Sequence, residues 1–306
     1  MSRLISWAEN RDRRFGAALT SVYGRVGRAW RIGITGPPGA GKSTLANELA
    51  RLYREAGATV GVLAVDPSSP FSGGALLGDR IRMEERTLDP GVYIRSMASR
   101  GSHGGLARAA VDACDVMDAF GFDRILIETV GVGQAEYDVL DAADTVVVVL
   151  CPGAGDGIQA MKAGLLEVAD VLVVNKSDLA GSDRLLRDLS EATHVRFYET
   201  DGWRAPVVAC SAATSFGVEG VVEAIAAHRA HLEARGLAQA RLSKRAEQVA
   251  HSVCEGLAQA LFDAKGWSRH VRAELARRTP PHRLVDTILQ AILKGVPEAP
   301  PAPESN

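Results

Sequence analysis

Between residues 31 and 210, short apolar runs alternate with longer segments whose apolar residues recur at helical spacing. The runs are RIGIT (31–35), TVGVLAV (59–65), VYIRS (92–96), RILIET (124–129), TVVVVL (145–150), VLVVN (171–175) and PVVAC (206–210). Several are apolar at consecutive positions, which predicts strands buried on both faces of a parallel sheet and not a half-exposed antiparallel one. Leu45, Leu49, Leu52 and Ala56 line one face of the segment after Ser43. Helices of this kind between buried strands predict an α/β fold, a mostly parallel sheet flanked by helices. Past residue 216 the pattern is helical only: 217–235, 240–264, 268–278 and 282–294, with Pro280 and Pro281 dividing the last two. Residues 1–28 read as a helical arm carrying Arg11, Arg13 and Arg14, and PEAPPAPESN at the end reads as a disordered tail. The expected organisation is an arm (1–28), an α/β domain (29–216), a helical region (217–295) and a tail (296–306).

Composition narrows the partners. The chain has 306 residues, 46% hydrophobic and 24% charged, as in an ordinary globular protein. Its 35 Lys plus Arg against 37 Asp plus Glu leave a net charge of −2, so no global field gathers nucleic acid or an anionic membrane. Any anion has to be caught locally. No apolar run suits a signal peptide or approaches the roughly 18 residues of a membrane span, and the expected location is cytoplasmic. Cys114, Cys151, Cys210 and Cys254 are dispersed and form no C-x-x-C, so they read as small buried hydrophobes.

The local anion site is legible. Gly36, Pro37, Pro38, Gly39, Ala40, Gly41, Lys42 and Ser43, followed by Thr44, satisfy G-x-x-x-x-G-K-[ST] directly after a strand and before a helix. Glycines let the loop curl so that backbone N–H groups face phosphate oxygens, and the next helix adds its positive end. Lys42 would reach the β- and γ-phosphates, and the Ser43 hydroxyl would ligate Mg²⁺.

The base and the metal have candidates of their own. Asn175, Lys176, Ser177 and Asp178 form an N-K-x-D box after the strand VLVVN. A carboxylate at Asp178 accepts from both N1–H and the exocyclic amine of guanine, a donor pair that adenine lacks. Ser211 and Ala212, after PVVAC, fit the turn that backs the base. Asp66 and Glu128 fall where strands should end near the phosphates and can serve Mg²⁺ directly or through its water. Asp79 lies in the Gly-rich stretch SSPFSGGALLGDRIRM, which suits a loop that rearranges.

GITGPPGAGKST, VDPSSPFSGGALLGDRIRM, ETVGVGQAE, PGAGDGIQAMKAG and NKSDL together resemble the MeaB/ArgK family of GTPases associated with methylmalonyl-CoA mutase, along almost the whole chain. The resemblance implies a SIMIBI-class P-loop G domain, a homodimer formed through a C-terminal helical dimerisation region, and GTP/GDP and Mg²⁺ as ligands. It also implies a chaperone that gates adenosylcobalamin loading and protects or reactivates the mutase. Lys42, Asp79, Glu128 and Lys162 would then serve hydrolysis, with Ser43, Asp66, Asp79 and Glu128 around the metal. Lys162 matches a switch lysine, while Ala163 stands where similar chains carry a second lysine.

Val132 follows Glu128-Thr-Val-Gly131, where many GTPases place a water-orienting Gln, so intrinsic hydrolysis is expected to be slow. His228 and His231 read as the exposed polar face of a helix, and His103, just before a helix, as a weak functional candidate. Two other functions stay open: a nickel-insertion metallochaperone GTPase, against which the dispersed cysteines speak, and an ATP-dependent kinase linked to amino-acid transport, against which Asp178 speaks.

Overall fold

The computed structural model describes residues 1–66, 88–98, 103–129, 140, 142–153, 166–196, 202–237 and 267–293, with 241, 243, 244, 246, 247, 249, 250, 253, 254, 256 and 257. Seven strands form one sheet: β1 (Trp30–Thr35), β2 (Val60–Asp66), β3 (Val92–Ala98), β4 (Arg124–Thr129), β5 (Thr145–Leu150), β6 (Val171–Val174) and β7 (Val207–Ala209). Every pairing is parallel, in the order β3-β2-β4-β1-β5-β6-β7. All seven fall on the expected apolar runs. The consecutive pattern has the expected cause, since all four residues of β6 are buried.

Helices α1 (Ser2–Glu9) and α2 (Arg14–Val22) precede β1. Then come α3 (Lys42–Glu55), α4 (His103–Ala119), α5 (Ser182–Arg196) and α6 (Val218–Ala234). Leu63, Val65, Ile125 and Ile127 pack with Ala110, Cys114 and Met117 of α4 and with Ile5 of α1. Fully burying each such aliphatic side chain contributes about 1.5–3 kcal/mol. The arm is also pinned by polar groups. Arg95 of β3 donates to the Glu9 carboxylate at 2.5 Å, and the buried Asp118 carboxylate accepts the backbone N–H groups of Gly27, Arg28 and Ala29 at 2.8, 3.1 and 3.0 Å.

The chain divides into two compact units, Met1–Leu232 and Glu233–Asn306. The second contains α7 (Trp267–Ala276) and α8 (Pro281–Leu293), with Trp267 and His270 packed edge to face at 5.6 Å. Pro281 opens α8, where a missing N–H costs nothing. Val249, Val253 and Leu257, four apart along helical residues, are exposed, as are Val285 and Leu289. No described helix is long and apolar enough to cross a membrane.

Strand order sets the position of the site. Neighbours of β1 lead away in opposite directions, β4 and β2 on one side, β5 and β6 on the other. Such a reversal opens a crevice at the carboxyl ends of the strands. At the opposite edge, the amino ends, a polar chain that runs from the buried Trp30, Thr145 and His228 to the half-buried Asp170 ties α6 to the sheet. Trp30 Nε1–H donates to Thr145 Oγ1 at 3.1 Å, and Thr145 Oγ1 lies 2.9 Å from His228 Nδ1. His228 Nε2 faces the Asp170 carboxylate at 3.5 Å. A carboxylate only accepts, so the imidazole proton sits on Nε2 and Nδ1 accepts the Thr145 hydroxyl. Trp203 packs on His228 and His231, with centroids 4.9 and 5.1 Å apart, and donates its Nε1–H to the Asp170 carbonyl at 2.8 Å.

His228 is therefore buried, at 4% exposure, and not on an open polar face as its neighbourhood in the sequence suggests. It falls on the stripe Val218, Val221, Ile225, His228, the buried side of α6. Cys114, Cys151 and Cys210 are buried as expected, whereas Cys254 is exposed.

Burial pushes the His228 pKa down to about 4, the charge of His231 adds to this, and the Asp144 carboxylate opposes it. The unfolded chain thus binds the proton more readily than the native one. This contribution to stability is complete above the ordinary histidine pKa, near 6.5, and declines as pH falls toward 4. In His228→Phe the component disappears. The wild type's stability advantage over that variant, measured by denaturant titration, is expected to shrink by on the order of 2–3 kcal/mol between about pH 7.5 and about pH 4.5.

Candidate functional site

The loop between β1 and α3 sits over the β1 switch point. Gly36 has φ 142°, and a Cβ there would lie 2.1 Å from the Val149 carbonyl oxygen of β5. Gly41 has φ 90°, and a Cβ there would lie 2.3 Å from Asn175 Nδ2. Both contacts are too close for any side chain, so the two glycines are steric requirements of the loop. Gly41 is also the N-cap of α3 and makes no side-chain cap bond, which leaves the first-turn N–H groups as donors for an anion.

Lys42 folds back over the loop. Its ammonium donates to the carbonyls of Gly36 at 2.8 Å and Pro37 at 3.0 Å, and the residue is buried. The Ser43 hydroxyl donates to the Glu128 carboxylate. Register places Glu128 beside Ile34 of β1 and Ala64 of β2, so its carboxylate reaches the α3 terminus from the adjacent strand. Behind it, Thr129 Oγ1 lies 3.1 Å from Thr35 Oγ1, two buried hydroxyls bridging β4 and β1 under the loop.

Two loops complete the site from the β6–β7 side. Asn175, buried at the end of β6, donates through Nδ2 to the Ala40 carbonyl at 2.8 Å. Its Oδ1 accepts the Ala212 N–H at 3.0 Å. One amide thus joins the glycine loop to the loop after β7. Lys176 follows with φ 57°, and Ser177 N–H donates to the Cys210 carbonyl at 3.0 Å. The Asp178 carboxyl titrates below the usual carboxylate range because the Ser211 hydroxyl, and then Asp178's own backbone N–H, donate to it. An ionised, oriented acceptor is held beside Ser211 and Ala212.

Thus Gly36 to Thr44, Glu128, Asn175, Lys176, Asp178, Ser211 and Ala212 all gather at the carboxyl end of the sheet. Asp66 is the last residue of β2, in register with Ala98. Asp79, Lys162, Gly131 and Val132 lie outside the described residues. Sequence reasoning missed Thr35, Thr129 and Cys151, whose thiol lies 3.9 Å from the Gly39 carbonyl. Its one available signal was that each sits at the carboxyl end of an apolar run.

A parallel sheet with a glycine loop of this geometry at the switch point, and a buried lysine folded over that loop, defines a P-loop nucleotide-binding protein. The chain matches the MeaB family, methylmalonyl-CoA mutase-associated GTPases, over residues 1–266, and it belongs to that family. It is a GTPase. A Pyrococcus abyssi protein that carries a GTPase name is 44% identical over 304 residues, covering 96% of this chain and 93% of the relative. GTPase ArgK of Escherichia coli is 34% identical over 283 residues, with 90% and 86% covered. The mouse protein named methylmalonic aciduria type A homolog, mitochondrial, is 41% identical over 192 residues, 62% of this chain and 46% of that one. Among solved structures, an LAO/AO transport system kinase superposes with TM-score 0.73 at 26% identity, covering 95% of this chain and 92% of that chain.

Replacing Asn175 tests the joint. Asn175→Ala leaves the Ala40 carbonyl and the Ala212 N–H without this partner, which is expected to cost about 1–3 kcal/mol in denaturant unfolding. Asn175→Asp is expected to lose more, since a buried carboxylate would face the Ala40 carbonyl with nothing to donate.

Proposed function

We propose that this GTPase binds GTP and GDP at the carboxyl end of the sheet, with guanine read by Asp178. The observation that carries the reading is the Asp178 carboxylate, ionised and oriented by the Ser211 hydroxyl, in the same loop as the Asn175 amide that bonds the phosphate loop. Lys42 and the first-turn amides of α3 neutralise the polyphosphate, and Lys176, Ser211 and Ala212 enclose the base. A paired Asp178 favours guanine, because adenine would leave the carboxylate desolvated without donors.

The donor set suits Mg²⁺: a serine hydroxyl and a carboxylate already share a proton contact, both hard oxygen ligands. Ser43 would bind the ion directly, with Glu128, Asp66 and Asp79 holding its surroundings. When bound, Mg²⁺ supplies charge neutralisation on the phosphates. Lys42, Asp79, Glu128 and Lys162 form the hydrolytic set in this reading. With no water-orienting Gln after Gly131, turnover is slow until a partner or a reordered loop completes the site.

In the cell, we infer, the GTPase acts in the cytoplasm as a homodimeric chaperone. It gates loading of adenosylcobalamin into methylmalonyl-CoA mutase and protects or reactivates that enzyme. Support comes from the family's description and from the mouse relative's name. The exposed apolar positions Val249, Val253, Leu257, Val285 and Leu289 in the second unit suit a dimer contact.

The base assignment is tested by exchanging a donor pattern. Asp178→Asn replaces an acceptor with a group that also donates, and xanthine presents a carbonyl where guanine presents its amine. GDP affinity is expected to fall at least about 100-fold while xanthosine diphosphate gains, measured by calorimetric titration. Comparable ADP and GDP affinities in the wild type would return the transport-kinase reading.

For hydrolysis, the isolated protein should turn over GTP slowly, with Lys162→Ala and Asp79→Ala slower still in single-turnover assays. Fast turnover that neither change diminishes would overturn the switch assignment.

A further inference from the structure

Among the described residues four non-glycine positions have left-handed backbone, and two of them, Lys176 at φ 57° and Ser215 at φ 61°, lie in the loops after β6 and β7. Serine, unlike Gly or Asn, has little intrinsic tolerance for that region, so Ser215 has to be held there. Its hydroxyl donates to Glu48 Oε2 at 2.6 Å across 167 positions of sequence. Arg51 Nε donates to the same oxygen at 3.0 Å, and Arg51 Nη1 donates to both Glu55 oxygens at 2.8 and 2.9 Å. The acceptor is thus itself oriented by a ladder along one face of α3.

The loop that Ser215 belongs to is closed on itself. Ser211 N–H donates to the Phe216 carbonyl at 2.8 Å, and Thr214 donates to the Ser211 carbonyl through its N–H at 3.1 Å and its hydroxyl at 3.2 Å. A turn bonded this way moves as a unit, so displacing Ser215 displaces Ser211, whose hydroxyl donates to Asp178. At the other end of the bond, Glu48 lies between one and two turns along α3 from Lys42 and Ser43.

We propose that Glu48 and Ser215 are positioning residues for the base: their hydrogen bond fixes the 211–217 loop to the helix that carries the phosphate ligands. The proposal rests on the reading of Asp178 and Ser211 as base-contacting groups. Removing the bond leaves the phosphate half of the site in place and loosens the base half. Base-dependent affinity then falls without a matching fall in phosphate affinity.

The test uses the full chain, with Mg-GDP and inorganic tripolyphosphate each titrated calorimetrically. Ser215→Gly removes the hydroxyl while relieving the positive φ, so it isolates the bond from backbone strain. Ser215→Ala and Glu48→Leu remove the same bond from either side, and Glu48→Gln keeps an acceptor. GDP binding is expected to weaken about tenfold in the three removals and to recover most of that loss in Glu48→Gln, with tripolyphosphate within about twofold of wild type throughout. Unchanged GDP affinity in Ser215→Gly overturns the proposal. Equal losses for GDP and tripolyphosphate overturn it too, because they mean a general structural role. A wild type that does not prefer GDP over ADP sinks the base assignment itself, before any variant is made.

Discussion

The site depends on one side chain that has to donate and accept at once. β1 and β6 are separated by β5, which puts their ends roughly 10 Å apart, about two strand spacings. Nothing in the sheet ladder brings the glycine loop after β1 to the loop after β7, which is farther still. The Asn175 amide does it, with Nδ2 on Ala40 and Oδ1 under Ala212. Buried and bonded through both its nitrogen and its oxygen, with the Cys210 thiol also donating to Oδ1 at 3.6 Å, it has no alternative partner in solvent, so the three loops keep one mutual arrangement. Gly41 is tied to the same constraint, since any Cβ there would strike that amide.

Around this joint, two sets of polar contacts lie at opposite ends of the strands. At the carboxyl end, Ser43 meets Glu128, and Asp178 meets Ser211. At the amino end, Trp30, Thr145, His228, Asp170 and Trp203 form a chain whose purpose is attachment, since it lies a full strand length from the glycine loop. The same helix, α6, takes part at both ends: it begins just after the Ser211 loop and is fastened by His228 at the other edge.

Much of this was legible before any coordinates. Strands buried on both faces betray themselves by consecutive Val and Ile, and the glycine loop carries its own steric logic. Strand order was not legible, because β4 inserts between β1 and β2 through contacts that leave no local mark. Asn175 was read only as part of a base-recognition box, and its second task, bonding Ala40, depends on a partner 135 positions away. The Glu48–Ser215 bond was invisible for the same reason. His228 is a different case: its spacing from Val221 and Ile225 puts it on the buried stripe, while its polarity points to water, and only its partners Thr145 and Asp170 decide between the two.

Seen mechanically, α6 is a column about 25 Å tall, by the rise of a helix of 17 residues. The His228 imidazole fastens it about two-thirds of the way along its length, on Thr145 and Asp170, and its head follows Gly217, with φ 72° and the Ala209 carbonyl 2.6 Å from where a Cβ would stand. Sliding the helix along its axis would break the His228 contacts with Thr145 and Asp170, so the start of α6 beside the Ser211 loop is held from the far edge of the sheet.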